Sequence, residues 1–114
     1  MSKKRDLQLV LQDILEEIDR IKRFIEKIDN WQDFYNNELV YYAVLKCLEN
    51  IGEASKHIPE DKRKLTNIDW RKIAALRNIL VHEYFGIDAE VVWDIVKNRI
   101  PELKEIVKEL KNKI

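Results

Sequence analysis

LQLVLQDILEEIDRIKRFIEKI, residues 7–28, decides the fold class. Leu7, Leu11, Ile14, Ile18, Ile21, Ile25 and Ile28 recur at alternating steps of four and three. That spacing places apolar side chains along one side of an α-helix and charged ones on the other. Asp29 and Asn30 supply the stop. The seam is narrow and unbroken, so it suits a coiled-coil partner or other helices of its own chain. Matching stripes further along favour packing within the chain.

The next stripe is Val40, Ala43, Val44, Cys47, Leu48, Ile51 and Ala54, widened by Tyr41 and Tyr42. It predicts a second helix that starts near Trp31 or Asn36 and runs to His57, stopped by Pro59. Glu60 to Lys64 form a charged connection with room for one short turn. Asp69 suits the N-cap of a third helix beginning at Trp70, and Asp88 the cap of the one after Gly86. From Val91 the apolar positions Val92, Ile95, Val96, Ile100, Leu103, Ile106, Val107 and Leu110 continue the helical period. Pro101 interrupts this run, because proline removes a donor and collides with the preceding turn. A kink or break near Arg99 is expected. No segment alternates with period two, so no sheet is expected. The reading is one all-α domain over residues 1–114, an antiparallel bundle of four to five helices.

Composition narrows the function classes. The chain has 114 residues, 46% apolar and 37% charged, with two Gly and two Pro. These values suit a folded protein of long helices and few tight turns. Basic and acidic residues number 21 each, which argues against strong non-specific nucleic-acid binding by a monomer but leaves room for a small phosphate site. The single Cys47 allows no internal disulfide and offers no metal cluster. With no apolar run near 18 residues and no leader pattern, neither a membrane span nor a signal peptide is expected, and the cytoplasm is the default compartment.

The chemistry concentrates in Leu76-Arg77-Asn78-Ile79-Leu80-Val81-His82-Glu83-Tyr84-Phe85-Gly86. At about 100° per residue, Trp70, Ile73, Ala74, Leu80 and Val81 fall within about 60° of Arg77. An arginine thus occupies the middle of an apolar stripe, where it is costly unless it is paired or faces a wet cleft. Glu53 is a candidate partner. On a straight helix His82 lies about 140° from Arg77, and Tyr84 only about 20° from it. Either the helix distorts before Gly86, or two copies of the chain pool their residues across a symmetry axis.

Histidine transfers protons near neutral pH, and arginine holds a phosphate with paired donors. Asn78 can orient His82 or a ligand. The set suits phosphodiester cleavage without metal: a ribose 2′-hydroxyl attacks phosphorus, Arg77 stabilises the developing charge and His82 moves a proton. His57, at a helix end, reads as solvated. Trp31, Trp70 and Trp93 read as packing residues, and Lys104, Lys108 and Lys111 as a solvated face.

Arg77-Asn78-x3-His82-x-Tyr84, preceded by Asp69-Trp70-Arg71 and Ile51-Gly52-Glu53-Ala54 and followed by Val92-Trp93 and Pro101-Glu102-Leu103, resembles the HepT-like branch of the HEPN superfamily. The resemblance spans nearly the whole chain. It implies a helical bundle that forms a homodimer, with Arg77 and His82 catalytic at a cleft between protomers. It also implies an endoribonuclease toxin acting on RNA without cofactor, in a type VII-like toxin–antitoxin pair. The partner would be a minimal nucleotidyltransferase that neutralises the toxin by transferring AMP to Tyr84. Asn78 and Glu53 would support the site. A reading from a different class is a non-catalytic module that binds nucleotide or substrate for such a nucleotidyltransferase.

Overall fold

The computed structural model describes residues 3–78 and 88–114. Its first helix, α1 (Lys3–Phe24), carries the seam read from the sequence. Leu7, Leu11, Ile14, Ile18, Ile21 and Ile25 are all buried, the last of them in the turn that follows the helix. The side chains that cover them come from α3 (Glu38–Ser55) and from the last helix, α7 (Ile100–Lys113). The seam therefore faces its own chain.

The second predicted helix is two helices. Asn30 accepts a hydrogen bond from the Asp33 amide at 2.8 Å and opens α2 (Trp31–Asn36). Asn37 accepts one from Val40 at 3.1 Å and opens α3. Of the two starts considered from the sequence, Trp31 opens a helix, whereas Asn36 ends it and the next begins at Glu38; each helix follows an asparagine able to satisfy an orphan amide of its first turn. The corner seats Phe34 in the core. Its ring lies 5.1 Å from Tyr41, edge-on, and 5.3 Å from Trp93. This aromatic group joins α2 to α6 (Ala89–Asp94).

The charged connection holds one helical turn, α4 (Glu60–Arg63). Asp69 caps α5 (Trp70–Ala74) through the Arg71 amide at 3.0 Å. Asp88 caps α6 through the Glu90 amide at 2.8 Å. The interruption expected near Arg99 is a π-helical segment, Ile95–Arg99, between α6 and α7. Its wider spacing carries the chain into Pro101, the second residue of α7, where no backbone donor is available. Val96, Ile100, Leu103, Val107 and Leu110 remain buried through the bend. The described residues contain no strand, and no helix among them is long and apolar enough to cross a membrane.

Candidate active site

Arg77 does not lie on a continuous α-helix. The helix that starts at Trp70 ends at Ala74, and Ala75–Asn78 tighten into a 3₁₀ turn. Three residues per turn bring Arg77 into line with Ala74 and Asn78 into line with Ala75. The stripe read as apolar is only partly internal: Trp70 is buried, Ile73 and Ala74 are half-buried, and Arg77 and Asn78 are exposed. The guanidinium therefore avoids the cost of a buried charge. His82 and Tyr84 lie outside the described residues, as does the Gly86 stop.

The neighbouring helix fixes the turn in place. Gly52, buried in α3, meets the 3₁₀ segment backbone to backbone. A Cβ there would stand 2.3 Å from the Arg77 amide nitrogen and 3.0 Å from both the Ala74 carbonyl oxygen and the Leu76 carbonyl carbon. Only glycine permits this approach. A series of hydrogen bonds links the end of α3 to the start of α5. Buried Ser55 donates to the Gly52 carbonyl at 2.8 Å, and Arg63 donates to the Ser55 carbonyl at 2.9 Å. Thr66 donates to the Arg63 carbonyl at 2.7 Å, and the Trp70 indole donates to the Thr66 hydroxyl at 2.8 Å. In the sequence Gly52 stands out only within Ile51-Gly52-Glu53-Ala54, beside Glu53. The signal was present, since a glycine inside a strong helical stripe marks a close approach of backbones.

Glu53, the next residue, faces Arg77. Arg77 Nη1 lies 3.7 Å from Glu53 Oε2, with the two side chains 45% and 55% exposed. The pairing proposed from the sequence is present, but it is a loose surface pair worth about 0–1 kcal/mol. Such a pair orients the guanidinium without withholding it from a ligand. The other oxygen of the same carboxylate meets Lys56 Nζ at 3.9 Å. Glu53 also borders a groove of about 370 Å³ lined by Asp13, Glu16, Glu17, Arg20, Asn50 and Ala54. Within it, Asn50 donates to Glu17 at 2.9 Å and Arg20 pairs with Glu17. The excess of carboxylates repels phosphates from that side.

Other candidates fall into structural roles. Cys47 is buried, and burial followed by the nearby Glu17 pushes its thiol up to about 12, so it is no nucleophile at neutral pH. Lys104 pairs with Asp19 at 3.5 Å, Lys108 with Glu105 at 3.8 Å, and Lys111 donates to Gln12 at 2.6 Å. All three contacts are with neighbours in the bundle. Trp70 is buried, Trp31 and Trp93 pack against the core, and His57 is exposed just past α3.

The family model described as Ribonuclease HepT-like matches residues 14–110. The chain belongs to this HEPN-type ribonuclease family. A Methanocaldococcus jannaschii protein named "Putative RNase MJ1380" is 46% identical over 105 residues, covering 91% of this chain and 95% of its own length. A second protein of that organism, "Putative RNase MJ0125", is 44% identical over 115 residues, covering 96% of this chain and 98% of its own. "Probable ribonuclease HepT" of Thermococcus cleftensis is 44% identical over 102 residues, covering 89% and 92%. No solved structure shows significant similarity to the chain.

Proposed function

We propose that this ribonuclease is the toxin of a type VII-like toxin–antitoxin pair, cutting RNA without metal at a site shared by two copies of the chain. The observation that carries the reading is Arg77. Its guanidinium is exposed and only loosely held by Glu53, next to Asn78, in a chain of the HepT-like family. In the reaction, the ribose 2′-oxygen attacks the adjacent phosphorus and the bond to the 5′-oxygen breaks. His82 takes the 2′-hydroxyl proton, and His82 of the second copy gives a proton to the departing 5′-oxygen. Arg77 stabilises the charge that builds on the phosphoryl oxygens, Asn78 orients the imidazole, and Glu53 holds Arg77 in place between turnovers. The products are a 2′,3′-cyclic phosphate and a 5′-hydroxyl.

The antitoxin in this reading is a minimal nucleotidyltransferase. It transfers AMP from ATP to the phenolic oxygen of Tyr84, with pyrophosphate leaving. The added phosphodiester carries a negative charge and a bulky nucleoside into the phosphate site, which excludes RNA by charge and by volume.

One experiment with two arms tests the proposal. The purified chain, incubated with single-stranded RNA in excess EDTA, is expected to release fragments ending in 5′-hydroxyl and 2′,3′-cyclic phosphate. Co-expressed with a cognate nucleotidyltransferase, it is expected to gain the mass of one AMP, to map that mass to Tyr84 and to lose the activity. Cleavage that stops in EDTA and leaves 5′-phosphates would overturn the mechanism. RNA left intact by the unmodified chain would favour the non-catalytic module. An active chain whose mass does not change on co-expression would remove the role given to Tyr84.

A further inference from the structure

Glu53 is shared between two cations. Its Oε2 lies 3.7 Å from Arg77 and its Oε1 lies 3.9 Å from Lys56. Lys56 stands at the end of α3, one turn beyond Glu53 on the same face, with its side chain 39% exposed. The guanidinium and the ammonium are therefore no farther apart than two loose ion pairs and the width of one carboxylate. Neighbouring phosphates of a nucleotide chain cover a span of that size. Without RNA, Glu53 screens two like charges that would otherwise repel. Each pair is loose and exposed, so an incoming phosphodiester displaces the carboxylate at little cost.

The surroundings favour this side as the entry. The groove on the far side of Glu53 is walled by Asp13, Glu16 and Glu17, which repel a polyanion. Arg71 and Lys72 are exposed on α5, the helix that leads into the segment carrying Arg77, with Arg71 paired to Asp69 at 3.6 Å. We propose that Lys56 forms a second phosphate subsite, holding the RNA phosphodiester next to the one that Arg77 addresses. The inference rests on the ribonuclease reading of Arg77. It adds a binding residue that positions substrate while taking no part in bond breaking. A lysine suits this task, as a mobile point charge that tolerates variation in the backbone it meets.

Steady-state cleavage of a labelled single-stranded RNA by Lys56→Ala, Lys56→Arg and Arg77→Ala, each at several salt concentrations, tests it. Lys56→Ala is expected to raise KM several-fold with kcat within about two-fold of the parent. The slope of log kcat/KM against log salt should fall by about 0.7, the counterion release of one single-strand phosphate contact. Lys56→Arg should restore KM, an outcome that a purely structural role does not require. An unchanged KM and salt slope in Lys56→Ala, beside an inactive Arg77→Ala, would overturn the subsite and leave the ribonuclease reading intact. Parental turnover in Arg77→Ala would instead remove the site on which the subsite depends. A loss of kcat alone in Lys56→Ala would also contradict the proposal, since a binding residue acts on KM.

Discussion

Arg77→Ala is expected to lower kcat for RNA cleavage by about a thousand-fold while leaving the fold in place. Removing one preorganised donor to a developing oxyanion costs about 10²–10³ in rate. A charged guanidinium facing a phosphoryl group belongs at the upper end, because its hydrogen bonds are charge-assisted. The stability effect should be small. Arg77 is exposed, and its pair with Glu53 at 3.7 Å is loose, so truncation removes about 0–1 kcal/mol. The helical content, thermal midpoint and oligomeric state of the variant should therefore match the parent, which separates a chemical loss from unfolding. Lysine at this position should recover only part of the rate, since an ammonium lacks the planar paired donors. A folded Arg77→Ala protein that cleaves RNA at the parental rate would contradict the role given to this residue.

Gly52→Ala is expected to reach the same site through the backbone. The added carbon would stand 2.3 Å from the Arg77 amide nitrogen, with two further backbone atoms at 3.0 Å. No flexible side chain is there to move, so α3 or the 3₁₀ turn must shift. Alanine gains about 1 kcal/mol over glycine in a helix interior. Overpacking against rigid neighbours costs about 1–3 kcal/mol, and contact this close belongs at the top of that range. A net loss of about 2 kcal/mol is expected, read as a lower urea midpoint with an unchanged slope. Activity should fall further than stability does. A displacement of about 1 Å costs as much as 10²-fold when it reaches a catalytic group, and here the shifted atoms are the backbone of Arg77 itself. Bulkier Gly52→Val should fail to fold or unfold at much lower denaturant. Gly52→Ala with parental stability and parental kcat would show that the close approach is not what places Arg77.

Where the chain announced its structure, it did so through period and caps. The seam from Leu7 to Ile25 predicted α1 and its buried face, and Asp69 and Asp88 marked helix starts that they cap directly. Pro101 announced a disturbance that the backbone resolves as a π segment. The split at Asn37 was harder to see, because neither glycine nor proline marks it and only the side-chain cap shows that one helix has ended. The 3₁₀ turn at Ala75–Asn78 was illegible for a different reason. Nothing in Ala-Leu-Arg-Asn disfavours an α-helix; the tightening accompanies a backbone contact with Gly52, 25 positions earlier in the chain. Of the candidate site, the exposure of Arg77 and its pairing with Glu53 were open to inference from charge on an apolar stripe. Lys56, which sets a second cation against the same carboxylate, had no local signal, since a lysine near a helix end is ordinary.

The claim on which the account depends is that one cleft draws on both copies of the chain, with His82 of one as base and His82 of the other as acid. Mixing the parent protein with His82→Ala protein under conditions that exchange protomers tests it directly. His82→Ala alone is expected to be inactive. The mixed dimer should be inactive as well, because its cleft keeps only one of the two imidazoles, so activity should fall as the square of the parent fraction. A linear fall with parent fraction, in a mixture that forms mixed dimers of folded protein, would place the chemistry within single chains and contradict the shared site.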